Sequence, residues 1–71
     1  MSDFSDKAVG LTFNPSSNPN VDEIKMIASG FINFCDVLRT QSTNPEIKRM
    51  LSIAITECQT AQMWAVKAVT W

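Results

Sequence analysis

The sequence predicts an all-α fold, in which a short N-terminal helix packs on an antiparallel two-helix hairpin and homo-oligomerisation completes the core. Two long segments, 20–41 and 45–70, carry apolar residues at alternating steps of three and four, and this spacing places side chains on one face of an α-helix. Because only a short polar turn separates the two helices, they must run antiparallel. The 71 residues form one domain, 1–71, near the size at which a single core is only marginally stable.

The helix predicted over 45–70 has a clear start and carries more apolar surface than one neighbouring helix covers. Asn44 can cap the helix, and Pro45 suits its first turn because the missing N–H leaves nothing unpaired there. Most of the apolar stripe is small, which favours close packing of a neighbouring helix. The stripe comprises Ile47, Leu51, Ala54, Cys58, Ala61, Ala65 and Ala68. A second apolar set, which predicts self-association, lies off the stripe and comprises Ile53, Ile55, Met63, Trp64, Val66 and Trp71.

The first long helix has two possible starts. It begins either after Asn18, with Pro19 in its first turn, or at Asn20, which completes a capping box with Glu23. The second start gives the helix 20–41. Its apolar stripe mirrors that of the second helix and comprises Val21, Ile24, Ala28, Phe31, Cys35 and Leu38. The two stripes are expected to pack against each other.

Upstream of the hairpin, the chain divides into a short helix and a loop. Residues 1–10 are predicted to form one or two helical turns, with Ser2 or Ser5 as the cap and Gly10 as the end. Residues 11–20 contain two Asn-Pro pairs, which favour turns and extended backbone. This segment is either a plain connector or a binding loop, since an aromatic ring beside Asn and Ser side chains suits a planar polar ligand.

Composition argues against several classes of function. A net charge of −1 provides no basic patch for duplex nucleic acid. The absence of His removes the commonest general base and the commonest metal ligand. No Gly-rich phosphate loop or pair of carboxylates in a polar site replaces it. We therefore expect no catalysis, no metal and no cofactor.

The cysteines and the hydropathy pattern indicate a soluble, intracellular protein. Cys35 and Cys58 lie on apolar stripes without the spacing of a redox or metal motif, so reduced, buried thiols are expected rather than a disulfide. No apolar run reaches the length of a membrane span, and the residues that follow Met1 do not resemble a signal peptide.

Lys25 and Phe13 are the first candidate site residues. Lys25 is expected on the polar side of the first long helix, near the loop that holds Phe13. A lysine in such a place is usually a solvated surface charge. A cation and an aromatic ring that meet at a subunit boundary can, however, clamp a phosphate and stack a base. Three further cations, which a symmetric assembly can bring to one point, are Lys48, Arg49 and Lys67.

Three short motifs, in this order, resemble a known family. They are Phe13-Asn14-Pro15, Ile24-Lys25 and Ala61-Gln62-Met63-Trp64-Ala65. The pattern is similar to that of the small phage-encoded anti-CBASS sponges, which include a member carried by T-even phages and sequester the cyclic oligonucleotide messengers of bacterial immunity. The resemblance spans about residues 11–71. It implies a homohexamer of helical hairpins that binds cyclic dinucleotides such as cGAMP, and in some members cyclic trinucleotides, in the cytoplasm of the infected bacterial host.

The resemblance also implies the site residues. Phe13 matches the loop aromatic that stacks on a base, although the family often has Tyr there, so a hydroxyl hydrogen bond is lost. Lys25 matches the lysine that faces phosphate. Asn14, where the family often has His, is expected to meet a base edge or a phosphate, and Pro15 completes the loop motif. The residues alone leave two alternatives, a small oligomeric protein-binding inhibitor of a host enzyme and a purely structural protein.

Overall fold

A computed structural model describes residues 2–71 and contains three α-helices. Helix α1 spans Asp3–Val9, α2 spans Pro19–Gln41 and α3 spans Pro45–Val69. The described residues form no strand, so the predicted all-α class is confirmed. Helices α2 and α3 form the antiparallel hairpin, and α1 packs mainly on α2. No helix within the described range is long and apolar enough to cross a membrane.

Helix α1 is anchored to α2 through buried hydroxyl groups. Of the two caps that the sequence allowed, Ser2 is the N-cap, and Ser5 completes a capping box with it. The hydroxyl of Ser29 on α2 lies 3.0 Å from Ser5 Oγ and donates to Asp6 Oδ1 at 2.7 Å. Ser5 and Ser29 are fully buried. Because buried polar atoms need partners, these bonds restrict α1 to one register on α2. Gly10 then ends α1 in the left-handed conformation, with φ 60°.

The start of α2 follows the first of the two predicted choices, and the start at Asn20 is wrong. Asn18 is the N-cap, and its Oδ1 accepts the backbone N–H of Asn20 at 2.8 Å. Pro19 occupies the first helical position, where its missing N–H costs nothing. The Asn18 Nδ2 also donates to the carbonyl of Val69 at 3.1 Å, so the start of α2 is tied to the end of α3. Asn44 caps α3 as predicted, accepting the N–H of Glu46 at 2.9 Å.

Replacing Asn18 with Ala should destabilise the protein by about 1 kcal/mol, because loss of an N-cap side chain usually costs that much. Thermal unfolding followed by circular dichroism measures the change. The matched variant Asn20→Ala should shift the unfolding midpoint far less, since the Asn20 side chain caps no helix. Equal losses in the two variants would contradict the assignment of Asn18 as the cap.

The buried face of the hairpin follows the predicted stripes only in part. Val21, Ala28 and Cys35 of the first stripe are buried as predicted. Ile55 was expected off the stripe but is buried, whereas Phe31 and Ala61 were expected on the stripes but are exposed. The core comprises Val9, Ala28, Ile32, Cys35 and Ile55. Its centre is Ile32, which is 0% exposed. Helix α1, which packs mainly on α2, contributes Val9 to this core.

An open apolar groove lies on the side of the hairpin away from α1. It encloses about 590 Å³ between α2 and α3. Its lining includes much of the two predicted stripes. Of these residues, Ala28 also belongs to the core, and Ala54 and Cys58 pack against it. The principal apolar side chains of this groove, hereafter the hairpin groove, are Ile24, Ile27, Phe31, Ala54, Ala61 and Ala65.

Both cysteines are free thiols, as the sequence predicted. Cys35 is buried, while Cys58 is half-buried and its Sγ lies 3.8 Å from the carbonyl oxygen of Ala28. Burial raises the pKa of the Cys58 thiol, and the nearby Cys35 raises it further. A raised pKa keeps the thiol protonated, the form that nucleophilic thiol chemistry does not use.

Candidate ligand-binding site

The loop between α1 and α2 presents an exposed aromatic ring at the edge of a small groove. Phe13 is 71% exposed, although apolar side chains of this size usually contribute to a core. The groove encloses about 230 Å³. All four residues implied by the resemblance border it, and its lining comprises Phe13, Asn14, Pro15, Ser16, Val21, Lys25, Val66 and Thr70. We call it the loop groove.

Lys25 is buried beneath the loop, so its expected place on the polar side of the helix is wrong. The side chain is 5% exposed. Its Nζ donates to the carbonyl of Gly10 at 2.9 Å and to the carbonyl of Phe13. The backbone turn that follows α1 directs both carbonyls inward, and the ammonium group satisfies them. Within residues 2–71, no carboxylate forms a salt bridge with Lys25.

The cation and the aromatic ring are already together within one protomer. Lys25 Nζ lies 5.5 Å from the centroid of the Phe13 ring. This separation falls within the range over which a cation interacts favourably with the face of an aromatic ring. One side of the ring is therefore associated with the cation, while most of its surface faces solvent.

Asn14 acts within the loop itself. Its Nδ2 donates both hydrogens, to the carbonyl of Asn18 at 2.9 Å and to Asp22 Oδ1 at 3.0 Å. The hydroxyl of Ser16 donates to Asn14 Oδ1 at 2.7 Å. Both donors of the amide are thus used by the protein, and a base edge or phosphate can reach them only by replacing an internal bond. Pro15, by contrast, is exposed at the rim of the loop groove.

Sequence reasoning missed the contribution of α3 to this groove. Val66 and Thr70 border it, and the Thr70 hydroxyl donates to the carbonyl of Val66 at 2.7 Å. The bond from Asn18 to Val69 holds these residues beside the loop. No local signal marks them, because their role depends on a contact between segments 51 residues apart.

The other cations considered from the sequence are engaged elsewhere. Lys48 Nζ donates to the carbonyl of Arg39 at 3.0 Å, and Lys67 Nζ lies 5.3 Å from the Trp64 ring. Arg49 pairs with Glu46 at 2.5 Å, and this bond lowers the pKa of the Glu46 carboxyl. These contacts are on the surface or at the turn between α2 and α3, so Lys25 is the cation that borders the loop groove. No cluster of potential metal ligands occurs among residues 2–71.

Together, the fold and the loop groove define a small helical-hairpin protein with an aromatic and a cationic group at one binding surface. The chain belongs to the Acb2/Tad1 hairpin-domain family, the family of anti-CBASS sponges, whose model matches residues 6–70. The resemblance predicted from the three motifs is thereby confirmed. No curated protein and no solved structure matches the chain in the corresponding comparisons.

Proposed function

We propose that this protein binds cyclic dinucleotides such as cGAMP and holds them without cleaving them, so that they cannot activate CBASS immunity. It would act where these messengers accumulate, in the cytoplasm of the infected bacterial host. The observation that carries the proposal is the exposed Phe13 ring directly above the buried Lys25 ammonium. Membership of the sponge family supports the same ligand class.

The two groups suit the two chemical parts of a cyclic dinucleotide. A base stacked on an aromatic side chain gains about 1–3 kcal/mol in single-strand binding proteins, and the Phe13 ring offers such a surface. The ligand also carries phosphates, whose negative charge is favoured near the Lys25 ammonium because the site is partly shielded from water. Sequestration requires this affinity and no chemical step.

One protomer provides only part of such a site. The loop groove of about 230 Å³ is smaller than the roughly 300–1,000 Å³ of most ligand pockets. A cyclic dinucleotide has two bases and two phosphates, whereas each protomer presents a single Phe13–Lys25 set. A two-fold axis between protomers would place one set against each half of the ligand.

We also propose that the hairpin groove is covered by a second copy of this chain. Its α2 wall carries the bulky, exposed Ile27 and Phe31, while its α3 wall carries the small residues Ala61 and Ala65. Two copies related by a two-fold axis can each place the bulky wall on the small wall of the other, which makes the surface self-complementary. The family resemblance implies that the complete assembly is a homohexamer.

Calorimetric titration with a panel of cyclic di- and trinucleotides tests the proposal, on protein whose mass in solution has been determined. We expect submicromolar binding of at least one cyclic dinucleotide and recovery of the intact ligand after the protein is denatured. Conversion of the ligand would contradict sequestration. If no cyclic nucleotide in the panel binds, the sponge proposal fails for this chain, and a protein target becomes the leading alternative.

A further inference from the structure

We infer that Asp22 is a positioning residue, which acts through Asn14 to hold the loop in the conformation that presents the Phe13 ring. The carboxylate of Asp22 lies in the first turn of α2, outside the lining of the loop groove. The effect of Asp22 on ligand affinity rests on the proposed function, whereas its effect on the loop does not.

The Asn14 side chain joins the loop to α2 through a closed set of hydrogen bonds. Its Nδ2 donates to the carbonyl of Asn18 at 2.9 Å and to Asp22 Oδ1 at 3.0 Å. The Ser16 hydroxyl donates to Asn14 Oδ1 at 2.7 Å and accepts the backbone N–H of Asn18 at 3.3 Å. Among these partners, Asp22 lies inside the helix, whereas Asn18 is its N-cap. The carboxylate therefore links this part of the loop to the body of α2.

The backbone next to this network is strained. Ser17 has φ 56°, in the left-handed region, which a residue with a side chain adopts only at a cost in free energy. The N–H of Ser17 donates to the carbonyl of Asn14 at 3.2 Å and closes the turn that contains this residue. A strained backbone persists only where the surrounding contacts fix it. The hydrogen bonds of Asn14 are contacts of this kind.

The same network fixes the backbone beside the exposed ring, because Asn14 directly follows Phe13. A ring whose backbone is already fixed loses less conformational freedom when a base stacks on it. The charge of Asp22 acts in the opposite direction, since a carboxylate near the loop groove repels the phosphates of the ligand. Positioning and charge therefore predict opposite changes in affinity when the carboxylate is removed.

Two substitutions of Asp22 separate these effects in calorimetric titrations with cGAMP. Asp22→Asn removes the charge but keeps an oxygen that can accept the hydrogen bond from Asn14. Positioning predicts affinity no more than about threefold below the wild type for Asp22→Asn, and at least about tenfold weaker affinity for Asp22→Ala. Unchanged or tighter binding by Asp22→Ala, or an equal loss in both variants, would overturn the inference.

Glu23→Ala is the matched control, because it removes the adjacent carboxylate of α2. The Asn14 amide donates to Asn18 and Asp22, so Glu23 takes no part in this contact. The control variant should bind cGAMP at least as tightly as the wild type. A loss equal to that of Asp22→Ala would mean that both carboxylates act on the helix start itself, contrary to the inference.

A double-mutant cycle tests whether Asp22 acts through Asn14. Asn14→Ala alone should weaken cGAMP binding at least as much as Asp22→Ala does. Adding Asp22→Ala to Asn14→Ala should then cost less than about threefold, because residues that act through one another are not additive. Additive losses would contradict the inference.

Solvent exchange of the Ser17 amide, followed by NMR, tests the loop without ligand. In Asp22→Ala this amide should exchange at least about fivefold faster, while Asp22→Asn and Glu23→Ala keep nearly the wild-type rate. Amides in the middle of α3 provide the internal reference. Unchanged exchange in Asp22→Ala would refute the inference. Faster exchange in a protein that binds no cyclic nucleotide would support the loop assignment and reject only the proposed function.

Discussion

Phe13→Ala is expected to remove tight binding of cyclic dinucleotides while the helical fold stays intact. The ring is 71% exposed and lies outside the protomer core, so its loss should leave thermal stability nearly unchanged. If each of two Phe13 rings stacks on one base, their loss costs about 2–6 kcal/mol, which corresponds to roughly a 30- to 25,000-fold weaker affinity. Calorimetric titration of the variant against cGAMP measures this change directly.

Two companion variants separate stacking from a general disturbance of the loop. Phe13→Tyr keeps the aromatic surface and should bind at least as well as the wild type. Thr12→Ala removes a neighbouring exposed side chain that does not border the loop groove, and it should bind normally. Affinity of Phe13→Ala within about threefold of the wild type would rule out this ring as the stacking platform.

Ala61→Glu should prevent assembly without unfolding the protomer. Ala61 is exposed in the single chain but borders the hairpin groove, so the carboxylate is tolerated only while the groove faces water. Covering it with a second copy would bury an unpaired charge, at an effective cost of several kcal/mol. Light scattering coupled to size-exclusion chromatography should show a smaller particle, with helical content unchanged by circular dichroism.

The neighbouring Thr60→Glu provides the control, since Thr60 is exposed on the same helix but does not border the hairpin groove. It adds the same charge and should leave the mass in solution unchanged. If Ala61→Glu assembles as the wild type does, the hairpin groove is not the interface. If it is monomeric yet binds cGAMP with full affinity, the ligand site is complete within one protomer, contrary to the proposed two-fold site.

Several features of the fold could be predicted from the sequence because they depend on neighbouring residues. The Asn-Pro start and the alternating apolar steps of α3 predicted its position, and the structure has Asn44 as its cap. Gly10 ended α1 for a comparable local reason, since it adopts positive φ without steric cost. Where two local signals competed, at Asn18 and Asn20, the pattern did not decide between them. Asn18 also contacts Val69, which lies 51 residues away in the sequence, so the pattern of neighbouring residues could not predict this contact.

The four residues implied by the resemblance all border the loop groove, but the sequence did not predict how they are arranged there. The order of the three motifs indicated the sponge family, and the family match over 6–70 confirms it. The same motifs could not show that Lys25 is buried, because this depends on where the turn after α1 places its carbonyls.

The sequence by itself determined that the chain forms two long helices and a short one, and to which family it belongs. Helix caps, apolar periodicity and motif order are all properties of residues close together in the chain. The tertiary structure alone decided which face of each helix is buried, that Lys25 contacts the loop backbone, and that Val66 and Thr70 border the loop groove. These features arise when α1 and the end of α3 pack beside α2, and periodicity within one helix carries no information about which other segment will cover it.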